Sequence, residues 1–186
     1  MRRHLSALAA LTLAGSLAGA SLALPAGAAT ATAPASSAHV TSGSQSPLST
    51  KHHNDEWTYR GGAIRYTFTS KNVGEYPTDL AGIIMELPAG ISKARITKKA
   101  ADTLCDIAGR SLICYYETIK AKQSTQLDLK VWLKKSTKGT AVLRYQTFSI
   151  DVPAGVDVTN EEELNKLDIA GQADRVVTVK TKIVKR

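Results

Sequence analysis

The 186-residue chain has little of the side-chain chemistry that most catalysis and metal binding need. It contains four histidines, and two each of cysteine, tryptophan, phenylalanine and methionine. His4 falls in an N-terminal apolar segment. His39, His52 and His53 all precede Trp57, where large apolar residues begin to recur. General acid–base work, catalytic triads and catalytic zinc hold imidazole rigidly in a pocket, so residues 57–186 argue against all three. His52-His53 with Asp55 and Glu56 offers at most weak metal ligands. The plainer reading is a solvated polar linker, and no metal site or cofactor is expected. Cys-x-x-Cys, a glycine-rich phosphate loop and the Asp-x-Asp calcium spacing are all missing. The carboxylates Glu56, Asp79, Glu86, Glu117, Asp128 and Asp151 are scattered rather than paired, against the two-carboxylate arrangement of a glycosidase. The expectation is a protein that is not an enzyme. No basic stripe interleaved with aromatics is present, so nucleic acid is not an expected partner.

Long apolar runs are lacking too, with one exception. Arg2 and Arg3 precede the Ala/Leu-rich stretch 5–24, and Pro25 is followed by Ala26-Gly27-Ala28, a small-x-small exit. This reads as a secretory signal over 1–28, cut after Ala28 or alternatively Ala31. Gly15, Gly19 and the serines dilute the run, against a retained membrane anchor. The twin-arginine consensus around Arg2-Arg3 is incomplete, which favours the general secretory route. No other stretch is long enough to span a bilayer. Removing 1–28 takes away two arginines and no acid, so the formal charge falls from +8 to +6. The expected location is extracellular, with noncovalent association with a cell wall as an option. Leu87-Pro88-Ala89-Gly90 superficially resembles a sortase signal, but it lacks the threonine, lies mid-chain and reads as a turn.

Residues 29–56 are dominated by Ala, Ser, Thr, Pro and polar residues and read as a disordered linker. Residues 57–186, about 130, make one domain's worth of chain. Their periodicity is mostly two. Ile64, Tyr66 and Phe68 alternate with Arg65, Thr67 and Thr69; 80–87 is an apolar run; 91–96 and 112–116 are β-prone. Leu127, Leu129, Val131 and Leu133 alternate with Asp128, Lys130, Trp132 and Lys134. Residues 140–150 and 175–184 complete seven or eight strands, with turns at 72–74, 88–90 and 138–139. The fold class expected is all-β, an immunoglobulin-like antiparallel β-sandwich. Thr159-Asn160-Glu161-Glu162 is a capping box, which predicts a short helix over 161–167 in the C-terminal part.

Two features bear on partners. Cys105 and Cys114 bracket a hairpin whose tip is 108–110, and in an oxidising compartment they should form a structural disulfide. Trp132 is expected to face outward between Lys130 and Lys134. That trio reads either as a binding platform for a sugar ring or an anionic wall or envelope polymer, or as an indole covering its neighbouring strand while the lysines keep the face soluble. The stapled hairpin 105–114 offers a second contact surface, for another secreted protein that the chain would inhibit.

Residues 59–137 resemble the bacterial surface-repeat family known as domain of unknown function eleven. The resemblance is carried by 66–74 (Tyr-Thr-Phe-Thr-Ser-Lys-Asn-Val-Gly), 85–91 (Met-Glu-Leu-Pro-Ala-Gly-Ile), Cys105 and Cys114 with Gly109 between, 119–124 and the alternating strand to Leu133. The order of strand, Asn-x-Gly turn, Leu-Pro-x-Gly turn, cysteine hairpin and last strand is kept. Gln123 stands where the family usually has Gly. One copy is present, and 138–186 extend beyond it. The resemblance implies an immunoglobulin-like sandwich in secreted or wall-associated proteins and assigns no chemistry.

Overall fold

The computed structural model describes residues 44–152, 163 and 173–185. The signal read at 1–28 lies outside the described residues. So does the predicted helix over 161–167, apart from Glu163, which is helical. Ten strands follow in order: β1 (Leu48–Asn54), β2 (Trp57–Tyr59), β3 (Ala63–Asn72), β4 (Leu80–Glu86), β5 (Ile91–Lys98), β6 (Leu104–Ala108), β7 (Ser111–Tyr115), β8 (Ser124–Leu133), β9 (Gly139–Ile150) and β10 (Val177–Val184). They form a four-stranded sheet, β1-β3-β8-β5, and a six-stranded sheet, β2-β10-β9-β4-β7-β6. Neighbours are antiparallel except β2 and β10, which run parallel over Trp57–Tyr59.

The core is the space between the sheets. Alternation sends Ile64, Tyr66, Phe68, Leu127, Leu129 and Val131 inward from the first sheet, to meet Ile83, Met85, Leu112, Cys114, Leu143 and Val179 from the second. The near-continuous apolar run of β4 has a separate cause: both of its faces are covered. Ala81, Ile83 and Met85 point into the core, whereas Leu80 and Ile84 join Phe148, Ile150, Tyr115, Val152 and Ala173 in a second apolar cluster on the other face.

The linker expectation for 29–56 is corrected over its last part. Residues 48–54 are a strand paired to β3 across Leu48↔Asn72 to Asn54↔Tyr66, and Leu48 is buried. Composition hid this strand because its inward face is polar and meets a polar face. Ser46 and Ser149 hydroxyls lie 3.3 Å apart, Thr50 reaches both Ser70 (2.9 Å) and Thr147 (3.5 Å), and His52 Nδ1 is 3.0 Å from the Tyr145 hydroxyl. Asn54 Nδ2 donates to Thr181 Oγ1 at 3.1 Å. His52, though exposed, is thus fixed on a paired strand by the Tyr145 hydroxyl, not carried in a flexible segment. Asp151 accepts from Ser44 Oγ and from the Gln45 amide, fixing the approach to β1.

Candidate functional site

The alternation that buries Leu127, Leu129, Val131 and Leu133 turns Gln126, Asp128, Lys130 and Trp132 to the outer face of the four-stranded sheet. Register adds what no single strand shows. Lys130 stands opposite Arg65 of β3 on one side and Arg95 of β5 on the other; Trp132 stands opposite Ala63 and Lys93. With neighbouring strands about 4.8 Å apart, three cationic side chains rise from one cross-strand row. Like charges directly opposite one another destabilise a sheet, and among the described residues none of Arg65, Lys93, Arg95 or Lys130 has an ion-pair partner. Lys51 and Lys71 extend the face over β1 and β3. Lys98 Nζ donates to Gln126 Oε1 (3.2 Å), and Gln126 in turn donates to Asp128, the carboxylate on this face. The outer face of the other sheet behaves differently: Arg110 and Arg144 both bind Glu86, at 2.8 and 2.9 Å.

Trp132 is half-buried rather than openly exposed. The ammonium groups of Lys130 and Lys93 sit 5.0 and 5.4 Å from its ring centroid, within cation–π range. The indole therefore orients Lys130, the middle cation of the row, and Lys93 beside it. Lys134 does not continue this arrangement. β8 ends at Leu133, and the exposed Lys134 lies in the turn beyond, its amide donating to Gly90 O at 2.8 Å. It lines, with Lys93, Ile91, Ile107 and Arg110, an open cleft of about 400 Å³ between the start of β5 and the cysteine hairpin. Sequence reasoning found Lys130 and Trp132 but missed Arg65, Arg95 and Lys93. Their link is lateral, through strand pairing, and no spacing along the chain encodes it.

The hairpin is β6 and β7, with Cys105 directly opposite Cys114 and a disulfide between them. Its tip is tied down: Arg110 Nε donates to Leu87 O (2.9 Å) and the Leu87 amide donates to Arg110 O (2.7 Å). Leu104, on β6 at the edge of the six-stranded sheet, is 70% exposed. Closing a loop of sequence separation 9 predicts that replacing both cysteines with alanine lowers stability by about 2.5–3 kcal/mol. The urea midpoint of the reduced wild type should fall, and that of the variant by at least as much, because Cys114 is also a core side chain. An unchanged midpoint in either would remove the staple's structural role.

Among the described residues no three His, Cys, Asp or Glu side chains gather to hold a metal ion, and no helix is long and apolar enough to cross a membrane.

The architecture is that of an immunoglobulin-like β-sandwich. No protein-family model matches the sequence, and no curated protein matches it. Solved structures do match in shape. The Actinomyces fimbrial adhesin FimA superposes with a TM-score of 0.51 at 14% identity, over 70% of this chain and 56% of that one. The full-length major pilin SpaD of Corynebacterium diphtheriae gives 0.46 at 14% identity over 73% and 33%, and the collagen-binding domain of a Staphylococcus aureus adhesin gives 0.43 at 10% over 72% and 96%. The chain spans little more than half of the fimbrial adhesin's length and a third of the pilin's, and the first likeness establishes the fold.

Proposed function

We propose that the chain is a secreted, non-catalytic β-sandwich module of the bacterial surface, which binds an anionic wall or envelope polymer on the outer face of β3, β8 and β5. The observation that carries the reading is the unpaired row Arg65–Lys130–Arg95 with Lys93 and Trp132 beside it. A sheet face that sets like charges side by side without carboxylate partners is destabilised alone and relieved by a polyanion laid across it. The signal-like N-terminus, the resemblance to the surface-repeat family and a fold shared with a fimbrial adhesin support the same reading.

The test is retention on beads carrying a glycerol-phosphate teichoic acid. Wild-type protein should bind and be released as salt rises, because the attraction is between charges at a solvated surface. Arg65→Glu with Arg95→Glu should weaken retention by roughly tenfold or more and flatten the salt dependence. Equal retention of both proteins at every salt concentration rejects this face.

A second reading, that of a secreted inhibitor, is favoured by the exposed Leu104 on a stapled edge strand. It predicts a one-to-one complex with a single secreted protein, insensitive to the β3 and β5 charge reversals.

A further inference from the structure

We infer that the corner joining β1 to β2 is a subsite for an uncharged pyranose, formed by Trp57 and Tyr59 with Asp55 and Glu56. β2 is a three-residue edge strand. It buries Thr58 and turns Trp57 and Tyr59 to the outer face of the six-stranded sheet, opposite to the cationic face of the other sheet. Trp57 is 54% exposed and Tyr59 41%, and their rings meet edge to face, 5.3 Å apart at 80°. Two rings at a right angle make an open corner, in which one aromatic face covers the C–H face of a sugar while the other closes its rim. Residues 53–59 line an open, shallow cleft of about 520 Å³ there.

The corner is held before any ligand arrives. The Lys182 amide donates to Glu56 O at 2.9 Å, Thr181 Oγ1 donates to Asp55 O at 2.8 Å, and the Arg65 amide donates to Asp55 Oδ2 at 2.8 Å. These bonds use the backbone of Glu56 and leave its carboxylate without a hydrogen-bond or ion-pair partner among the described residues. A carboxylate only accepts, which suits sugar hydroxyls as donors. Charge balance selects a neutral ligand over a cation: Lys182 is the cross-strand partner of Trp57, and Arg60 follows Tyr59, so Asp55 and Glu56 are offset. Preorganised aromatic faces with acceptors at their rim bind by contact area and hydrogen bonds rather than net charge.

The experiment uses the Trp132→Phe protein, in which Trp57 is the remaining indole of the two. Its fluorescence is titrated with chitotriose, cellotriose and mannotriose, at low and at high salt. A saturable change with at least one of these, unaffected by salt, is the expected result. In a wild-type background, indole N–H resonances in NMR should show Trp57 shifting and Trp132 still. Trp57→Ala, at a position that is 54% exposed, should weaken binding at least about tenfold, and Glu56→Gln several-fold, as read by calorimetry, with thermal unfolding of each variant confirming that it is folded. The absence of a saturable response to all three sugars, a response lost with salt, or binding retained in Trp57→Ala overturns the proposal.

Discussion

Between pH 10 and pH 12 the folded protein is expected to lose on the order of 5 kcal/mol of stability, through two buried phenols. Tyr66 and Tyr116 are each pushed up to about 12 from 10.0, first by burial, which disfavours the phenolate. The Tyr66 hydroxyl is enclosed with no hydrogen-bond partner among the described residues. Thr181 is near enough to favour the phenolate, but its proton goes to Asp55 O, and the Asp55 charge pushes the same way as burial. Tyr116 has partial relief from Ser70 Oγ at 3.2 Å, and Tyr145, itself raised by burial, opposes that relief.

Below pH 10 both states hold their phenolic protons and the stability is fully present. Above it the unfolded chain gives them up first, so stability falls as pH rises and the fall is complete once the folded-state values are passed. Denaturant midpoints followed through this window should drop steeply. Tyr66→Phe should remove about half of the drop with little change at neutral pH, since no hydrogen bond is lost. Tyr116→Phe should remove the other half while costing about 1 kcal/mol at neutral pH for the Ser70 bond. A flat profile to pH 12, or an unaltered drop in the double Phe variant, would contradict the burial described for these rings.

Gly82→Val is expected to destabilise the protein by about 3 kcal/mol or more, the cost of overpacking a site that cannot yield. Gly82 lies in β4 between Tyr115 of β7 and Phe148 of β9. A Cβ there would stand 2.3 Å from Cys114 O and 2.5 Å from Phe148 Cζ. The Phe148 ring occupies the room that a side chain would need, and Tyr115 meets it edge to face at 5.9 Å. The carbonyl cannot retreat without opening the β4–β7 pair. Thermal unfolding of Gly82→Val beside Gly82→Ala should show both losing stability, with valine the worse. A wild-type midpoint in the valine variant would mean that the ring does not lie over this glycine.

The strands that bury one clean stripe were legible in the sequence. β3 and β8 alternate without a break because each has the core on one side and water on the other, and the hairpin at 105–114 could be read from its cysteines and its glycine. β1 was not legible. Hydrophobic periodicity cannot see a strand whose inward residues are Thr50, His52 and Asn54, matched to Tyr145, Thr147 and Thr181 by hydrogen bonds. The cationic face was half legible, because Lys130 and Trp132 belong to one strand while Arg65 and Arg95 reach them across the ladder. Trp57 was passed over for the opposite reason: β2 is too short to show a period, and its exposure follows from an edge position that only the strand order reveals.

The parallel pairing of β2 with β10 has a mechanical consequence. β1 runs down one side of the sandwich, the corner carries the chain to β2, and β10 descends in the same direction to Val184. The described chain therefore enters and leaves at opposite poles. Tension applied between Ser44 and Val184 drags β1 along β3 and β2 along β10 lengthwise. The bonds of each ladder share that load together instead of opening one at a time from an end.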